Sequence, residues 1–142
     1  MELKQYQQAV LNDLAQYIAI LKEQGSNHKA FSTYWKQNGI TLQQGEETFH
    51  PYCDTMNGAP NMTIKVPTAG GKTFIACNAI RTIFDAMPVN RTKVVAWFVP
   101  SDTILKQTYE NLKNPQHPYR QRIDTLFNGR VEVYDKQALL FG

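Results

Sequence analysis

Seven consecutive residues, Pro67-Thr68-Ala69-Gly70-Gly71-Lys72-Thr73, carry the types and the order needed to hold a nucleoside triphosphate. Phosphate-binding loops follow G-x-x-x-x-G-K-[ST]. Gly71, Lys72 and Thr73 fill the last three places of that pattern, and Val66 stands where its leading glycine would be. Gly70 and Gly71 lack a Cβ, so the backbone here can take unusual dihedrals and turn N–H groups inward around phosphate oxygens. Lys72 brings a point charge to the β and γ phosphates, and the Thr73 hydroxyl completes a Mg²⁺ shell of water and phosphate oxygens.

Such a loop works only when held between two elements. Residues 61–66 alternate polar and apolar as a strand does, while Phe74, Ile75, Ala79, Ile80, Ile83 and Phe84 recur at helical spacing behind the loop. Strand, glycine loop and helix is the required order, and the helix start aims its positive dipole end and its first N–H groups at the phosphates. A plain turn with a surface lysine is the bland reading of the same residues, and these flanks disfavour it.

Further along, residues 94–99 form a continuous apolar run of strand length, expected where both faces of a parallel strand are covered by helices. Ser101 fits as N-cap of a helix carrying Ile104, Leu105, Tyr109 and Leu112, which Asn114-Pro115 ends. A weaker helix over 119–127 leads through Asn128-Gly129 to a third strand at 131–134. Before the loop, residues 3–21 make an amphipathic helix with Leu3, Tyr6, Val10, Leu14, Tyr17, Ile18 and Leu21 on one side and glutamines on the other. A short helix over 28–37 buries Phe31, Tyr34 and Trp35, and residues 40–60 have the glycine and proline content of a loop or insertion. Alternating strands and helices predict right-handed crossovers and an α/β fold, a three-layer parallel sheet with ligands at the carboxyl ends of its strands.

Composition bounds the rest. The chain has 142 residues, 42% hydrophobic and 11% aromatic, which suffices for the core of one domain or part of one. Its longest apolar run is a third of a membrane span and no signal-like segment opens it, so a cytoplasmic protein away from membranes is expected. Cys53 and Cys77 are too few for a disulfide framework. His50 and Cys53 are spaced like half a metal site with no second half, so no metal is expected beyond Mg²⁺ brought by the nucleotide. The net charge of +3 is too small to argue for nucleic acid by itself, yet residues 104–130 hold Lys106, Lys113, Arg120, Arg122 and Arg130 against only Glu110 and Asp124. A solvated surface explains that skew as well as a polyanion partner does.

Three blocks together resemble the first motor domain of superfamily 2 helicases of the DEAD/DEAH type. Leu3-Lys4-Gln5-Tyr6-Gln7 is similar to the L-[RK]-x-Y-Q start of many such motors, Pro67–Thr73 to motif I in the form P-T-[GA]-x-G-K-T, and Pro100-Ser101-Asp102-Thr103-Ile104-Leu105-Lys106-Gln107 to motif Ia, P-[TS]-x-x-L-x-x-Q. The wording around the second and third blocks is closest to the restriction (Res) subunits of type III restriction-modification systems.

The resemblance implies a P-loop NTPase, an incomplete RecA-like helicase domain 1 that binds ATP and Mg²⁺. Its nucleotide site would comprise Gln7 on the adenine, Thr68, Ala69, Gly70, Gly71, Lys72 and Thr73 on the phosphates, with Lys72 catalytic and Thr73 on the metal. Pro100, Ser101 and Gln107 would touch a DNA backbone, whereas Asp102, where some relatives carry arginine, would repel it. Residues 1–24 would form the adenine-reading helix, 25–60 an insertion and 61–142 the P-loop core. A DNA methyltransferase subunit is the further partner implied. No Asp-Glu pair occurs in the chain, so the resemblance also implies an amino-terminal piece of a longer motor that hydrolyses ATP poorly by itself. A small P-loop kinase using Arg120, Arg122 and Arg130 as a lid, and a non-catalytic nucleic-acid-binding module with a decayed loop, are the competing readings.

Overall fold

The computed structural model describes residues 2–40 and 52–141; the expected insertion therefore lies partly, and His50 wholly, outside the described residues. Six helices are present among the described residues: α1 (Gln5–Gln24), α2 (Asn27–Gln37), α3 (Lys72–Ala86), α4 (Asp102–Lys113), α5 (Pro118–Phe127) and α6 (Lys136–Phe141). The chain forms two compact units, Gln5–Gly70 and Gly71–Gly142 with Met1–Lys4.

In the first unit, α1 buries Gln7, Leu11, Leu14, Tyr17 and Ile20 along one stripe. Gly25 ends it in the left-handed region, φ 62°, with its N–H on the Leu21 carbonyl, and the Ser26 side chain accepts from the Lys29 N–H to start α2. Tyr17 and Ile20 pack on Ala30 with Leu21, Phe31 and Tyr34 around them. Tyr52 extends this cluster: its ring lies 5.6 Å from Phe31, and its hydroxyl accepts the Asn61 N–H at 2.7 Å. Asn27 of α2 donates to the Ala59 carbonyl at 3.2 Å, so the chain leading to the glycine loop is held at two points, directly by α2 and through Tyr52.

In the second unit, Cys77 of α3, Leu112 of α4 and Ile123 of α5 form the core, with Trp97, Tyr119, Phe127, Val131 and Val133 against it. A buried polar link crosses that core. Arg122 Nε donates to Asn78 Oδ1 at 2.7 Å while Asn78 Nδ2 donates to the Phe74 carbonyl at 2.7 Å. Ser101 caps α4 as the sequence requires, and α5 closes at Asn128, φ 54°, and Gly129, φ 69°.

The expectation of an α/β three-layer parallel sheet is corrected by this structure: among the described residues there is no strand and no sheet. The three segments expected as strands, 61–66, 94–99 and 131–134, carry no backbone ladder. A strand is defined by its neighbour, and periodicity supplies none. Val94 is 83% and Phe98 91% exposed, so the apolar run is covered on one side only, where Trp97 meets the core. The Val131 carbonyl, which a ladder would use, accepts instead from Arg120 at 3.1 Å. Within the second unit an open trough of about 1170 Å³ lies beside 94–99 and 131–134, lined by Phe84, Val95, Trp97, Leu112, Phe127 and Val133 among others. With no sheet there is no carboxyl edge to gather ligands, and the glycine loop has to be judged on its own geometry.

Candidate functional site

The glycine loop is built as a closed turn. The Gly70 N–H donates to the Pro67 carbonyl at 3.0 Å, with Thr68 and Ala69 at the turn's corners. Ala69 sits at φ 61°, one of two non-glycine residues in the left-handed region among those described. Such a residue is held there against its own preference, by roughly 1–2 kcal/mol. Gly70 is buried, and a Cβ placed on it would come 2.6 Å from Val66 Cγ1 and 2.9 Å from the Pro67 oxygen. The first glycine of the pair is thus required by close approach rather than by its dihedrals.

The first turn of α1 reaches the same residue. Tyr6 Oη donates to the Gly70 carbonyl at 2.8 Å and Gln7 Nε2 donates to it at 3.2 Å. Gln7 is 5% exposed, so the glutamine expected among the polar residues of α1 lies on its buried face. Sequence periodicity misplaces it because the polar partner that permits its burial is sixty-three positions away.

The second half of the motif opens α3. Gly71 is the N-cap at φ 69°, no side chain caps the helix, and the Gly71 carbonyl accepts the Ile75 N–H at 3.0 Å. Lys72 is exposed and Thr73 half-buried, while Phe74 and Ile75 behind them are buried. The residue types fit a triphosphate: a glycine-capped helix start, a cation and a hydroxyl in sequence, directly after a turn too tight for a Cβ at Gly70.

Pro100, Ser101 and Gln107 are all exposed at the start and middle of α4, with Asp102 in its first turn. The Ser101 hydroxyl accepts the Ile104 N–H at 3.4 Å, and Asp102 sits where a carboxylate favours a helix dipole.

Two of the five basic residues of the 104–130 stretch are spent inside the fold, while Lys106, Lys113 and Arg130 are exposed. Arg120 pairs with Asp124 at 2.9 Å and donates to the Leu112 and Val131 carbonyls, and Arg122 is held by Asn78. Two of the three arginines that a kinase lid would need are therefore fastening α5 to its surroundings. Cys53 is exposed and Cys77 buried, where burial raises the Cys77 thiol from 9.0 to about 11. Among the described residues no three His, Cys, Asp or Glu side chains gather to hold a metal, and no helix is long and apolar enough to cross a membrane.

No curated protein and no solved structure matches this chain. One family model does, over residues 1–141, and by that match the chain belongs to the type III restriction enzyme, res subunit family.

Proposed function

We propose that this chain is the ATP-binding portion of an ATP-dependent DNA translocase, the restriction subunit of a type III restriction-modification system working in the cytoplasm. The observation that carries the reading is the Pro67–Gly70 turn, in which Gly70 occupies a space too small for any other residue directly before a glycine-capped helix. Family membership supports the helicase-like setting.

Lys72 meets the β and γ phosphate oxygens, Thr73 lends its hydroxyl to Mg²⁺, and the amides of Thr68, Ala69 and Gly71 line the cradle, that of Gly70 being held by the Pro67 carbonyl. Gln7 orients the adenine, since one amide offers both a donor and an acceptor to its N6 and N7. ATP with Mg²⁺, when bound, supplies the phosphoryl bond whose hydrolysis drives movement along DNA. Pro100, Ser101 and Gln107 contact the DNA backbone without reading sequence, and a DNA methyltransferase subunit is the partner that provides specificity.

Isothermal titration with ATP and Mg²⁺ tests the proposal. Saturable binding that Lys72→Ala removes is the expected result; binding of the same strength in the variant would overturn the assignment of the loop.

A further inference from the structure

The peptide joining Gly70 to Gly71 is the point at which this loop either serves or repels an anion. Its carbonyl and N–H lie in one plane and, in a trans unit, point to opposite sides. Whichever way the Gly70 oxygen faces, the Gly71 N–H faces the other. A carbonyl oxygen turned into the cradle would set partial negative charge against phosphate, whereas the amide there would attract it. This peptide is also flanked by the two residues that resist rotation least, because neither glycine has a Cβ to restrict its dihedrals. Glycine makes the turn possible and leaves its polarity undecided.

We propose that Tyr6 is a positioning residue that decides it: its phenol O–H, donated to the Gly70 carbonyl at 2.8 Å, holds that carbonyl towards α1 and so keeps the Gly71 amide turned the opposite way. The proposal rests on the nucleotide reading of the loop. Gln7 shares the task, donating to the same oxygen at the longer distance of 3.2 Å. The two donors differ in what else they serve. Gln7 carries the amide suited to a base, and a change of partner at its Nε2 weakens its hold on Gly70. Tyr6 has a single hydroxyl hydrogen, and it is given to the loop. The carbonyl has two lone pairs, so both donors fit at once and either can leave without stranding it. Tyr6 therefore acts on the phosphates through the loop and is indifferent to the base.

Tyr6→Phe in the full chain isolates this role, since it removes one oxygen atom from a ring that is 41% exposed and leaves α1 otherwise intact. One neutral hydrogen bond lost translates to about two- to tenfold in affinity. Tyr6→Phe should weaken ATP, GTP and inorganic triphosphate, each with Mg²⁺, by the same factor in that range. It should also speed hydrogen exchange at the Gly70 and Gly71 amides in the absence of any nucleotide. Unchanged exchange at both amides would overturn the proposal, as would an affinity loss confined to ATP, which would put Tyr6 on the base. Faster exchange in a protein whose wild-type form binds none of the three ligands would uphold the clamp and sink the nucleotide reading instead.

Discussion

Replacing Gly70 by alanine is the sharpest perturbation the loop offers, because its consequence follows from two distances. The added Cβ would meet Val66 Cγ1 at 2.6 Å, where carbon atoms rest at about 3.5–4.0 Å. Rotation of Val66 relieves that overlap alone, at the expense of its preferred rotamer. The second contact, 2.9 Å from the Pro67 oxygen, is with backbone and no rotamer relieves it. That oxygen is also the acceptor of the Gly70 N–H at 3.0 Å, so moving it away opens the bond that closes the turn. Overpacking of this kind costs about 1–3 kcal/mol. The cradle must be closed to bind, so the same energy appears as roughly a five- to 150-fold loss of affinity for ATP and Mg²⁺. The assay is titration of both proteins with a fluorescent ATP analogue, with Gly58→Ala as control. Gly58 lies at φ +79° and a Cβ added there would meet nothing within 4 Å, so its alanine variant carries backbone strain without touching the loop. Gly70→Ala binding within twofold of wild type, under conditions where wild type binds, would refute the close-approach reasoning.

Three further outcomes are expected. Arg122→Ala strands the Oδ1 of Asn78, a side chain 4% exposed, and should lower stability by about 1–3 kcal/mol in urea unfolding, whereas Asn78→Leu with Arg122→Ala should recover part of it; a single variant as stable as wild type would discount the link. At pH 8 a maleimide should label Cys53 and spare Cys77, both reacting once urea unfolds the chain. Because burial holds the Cys77 thiol at about 11 against 9.0, the unfolded chain loses this proton first, so the contribution of this group to stability is steady below pH 9 and falls as pH rises from 9 towards 11. A Cys77→Ala protein with the same alkaline decline would contradict that.

The helices were legible because their ends are written locally. Ser26 and Ser101 each cap the helix that follows, and Asn38-Gly39 and Asn128-Gly129 each end one in a few residues. The glycine loop was legible for the same reason: Gly70 is needed by contacts with Val66 and Pro67, four and three residues back. The strands failed because pairing is not a local property. In residues 131–134 the alternation is real, Val131 and Val133 turning to the core and Glu132 and Tyr134 outward, yet it accompanies packing on the Cys77, Leu112 and Ile123 core and no ladder. The arginines were visible as charge but not as fasteners, since the Leu112 and Val131 carbonyls that Arg120 meets carry no sequence signal. Helix α6 escaped notice because six residues hold too short a period to register.

Gln7 shows how hydropathy alone can misjudge a residue's setting. Assigning the residues of α1 by hydropathy puts every glutamine in water, and Gln5 and Gln8 are indeed exposed. Gln7 is buried because burial of an amide is tolerable once a partner is supplied, and the partner is a carbonyl in a turn that glycine alone permits. Had residue 70 carried a side chain, the Pro67–Gly70 turn could not close as it does. The acceptor would then shift, and the glutamine would lose the bond that makes its buried position acceptable. The first turn of α1 and the glycine loop are therefore mutually dependent: Gly70 allows Tyr6 and Gln7 to converge on one oxygen, and their convergence fixes the orientation of a peptide that its two glycines leave free. Two short blocks separated by sixty residues make one structural statement.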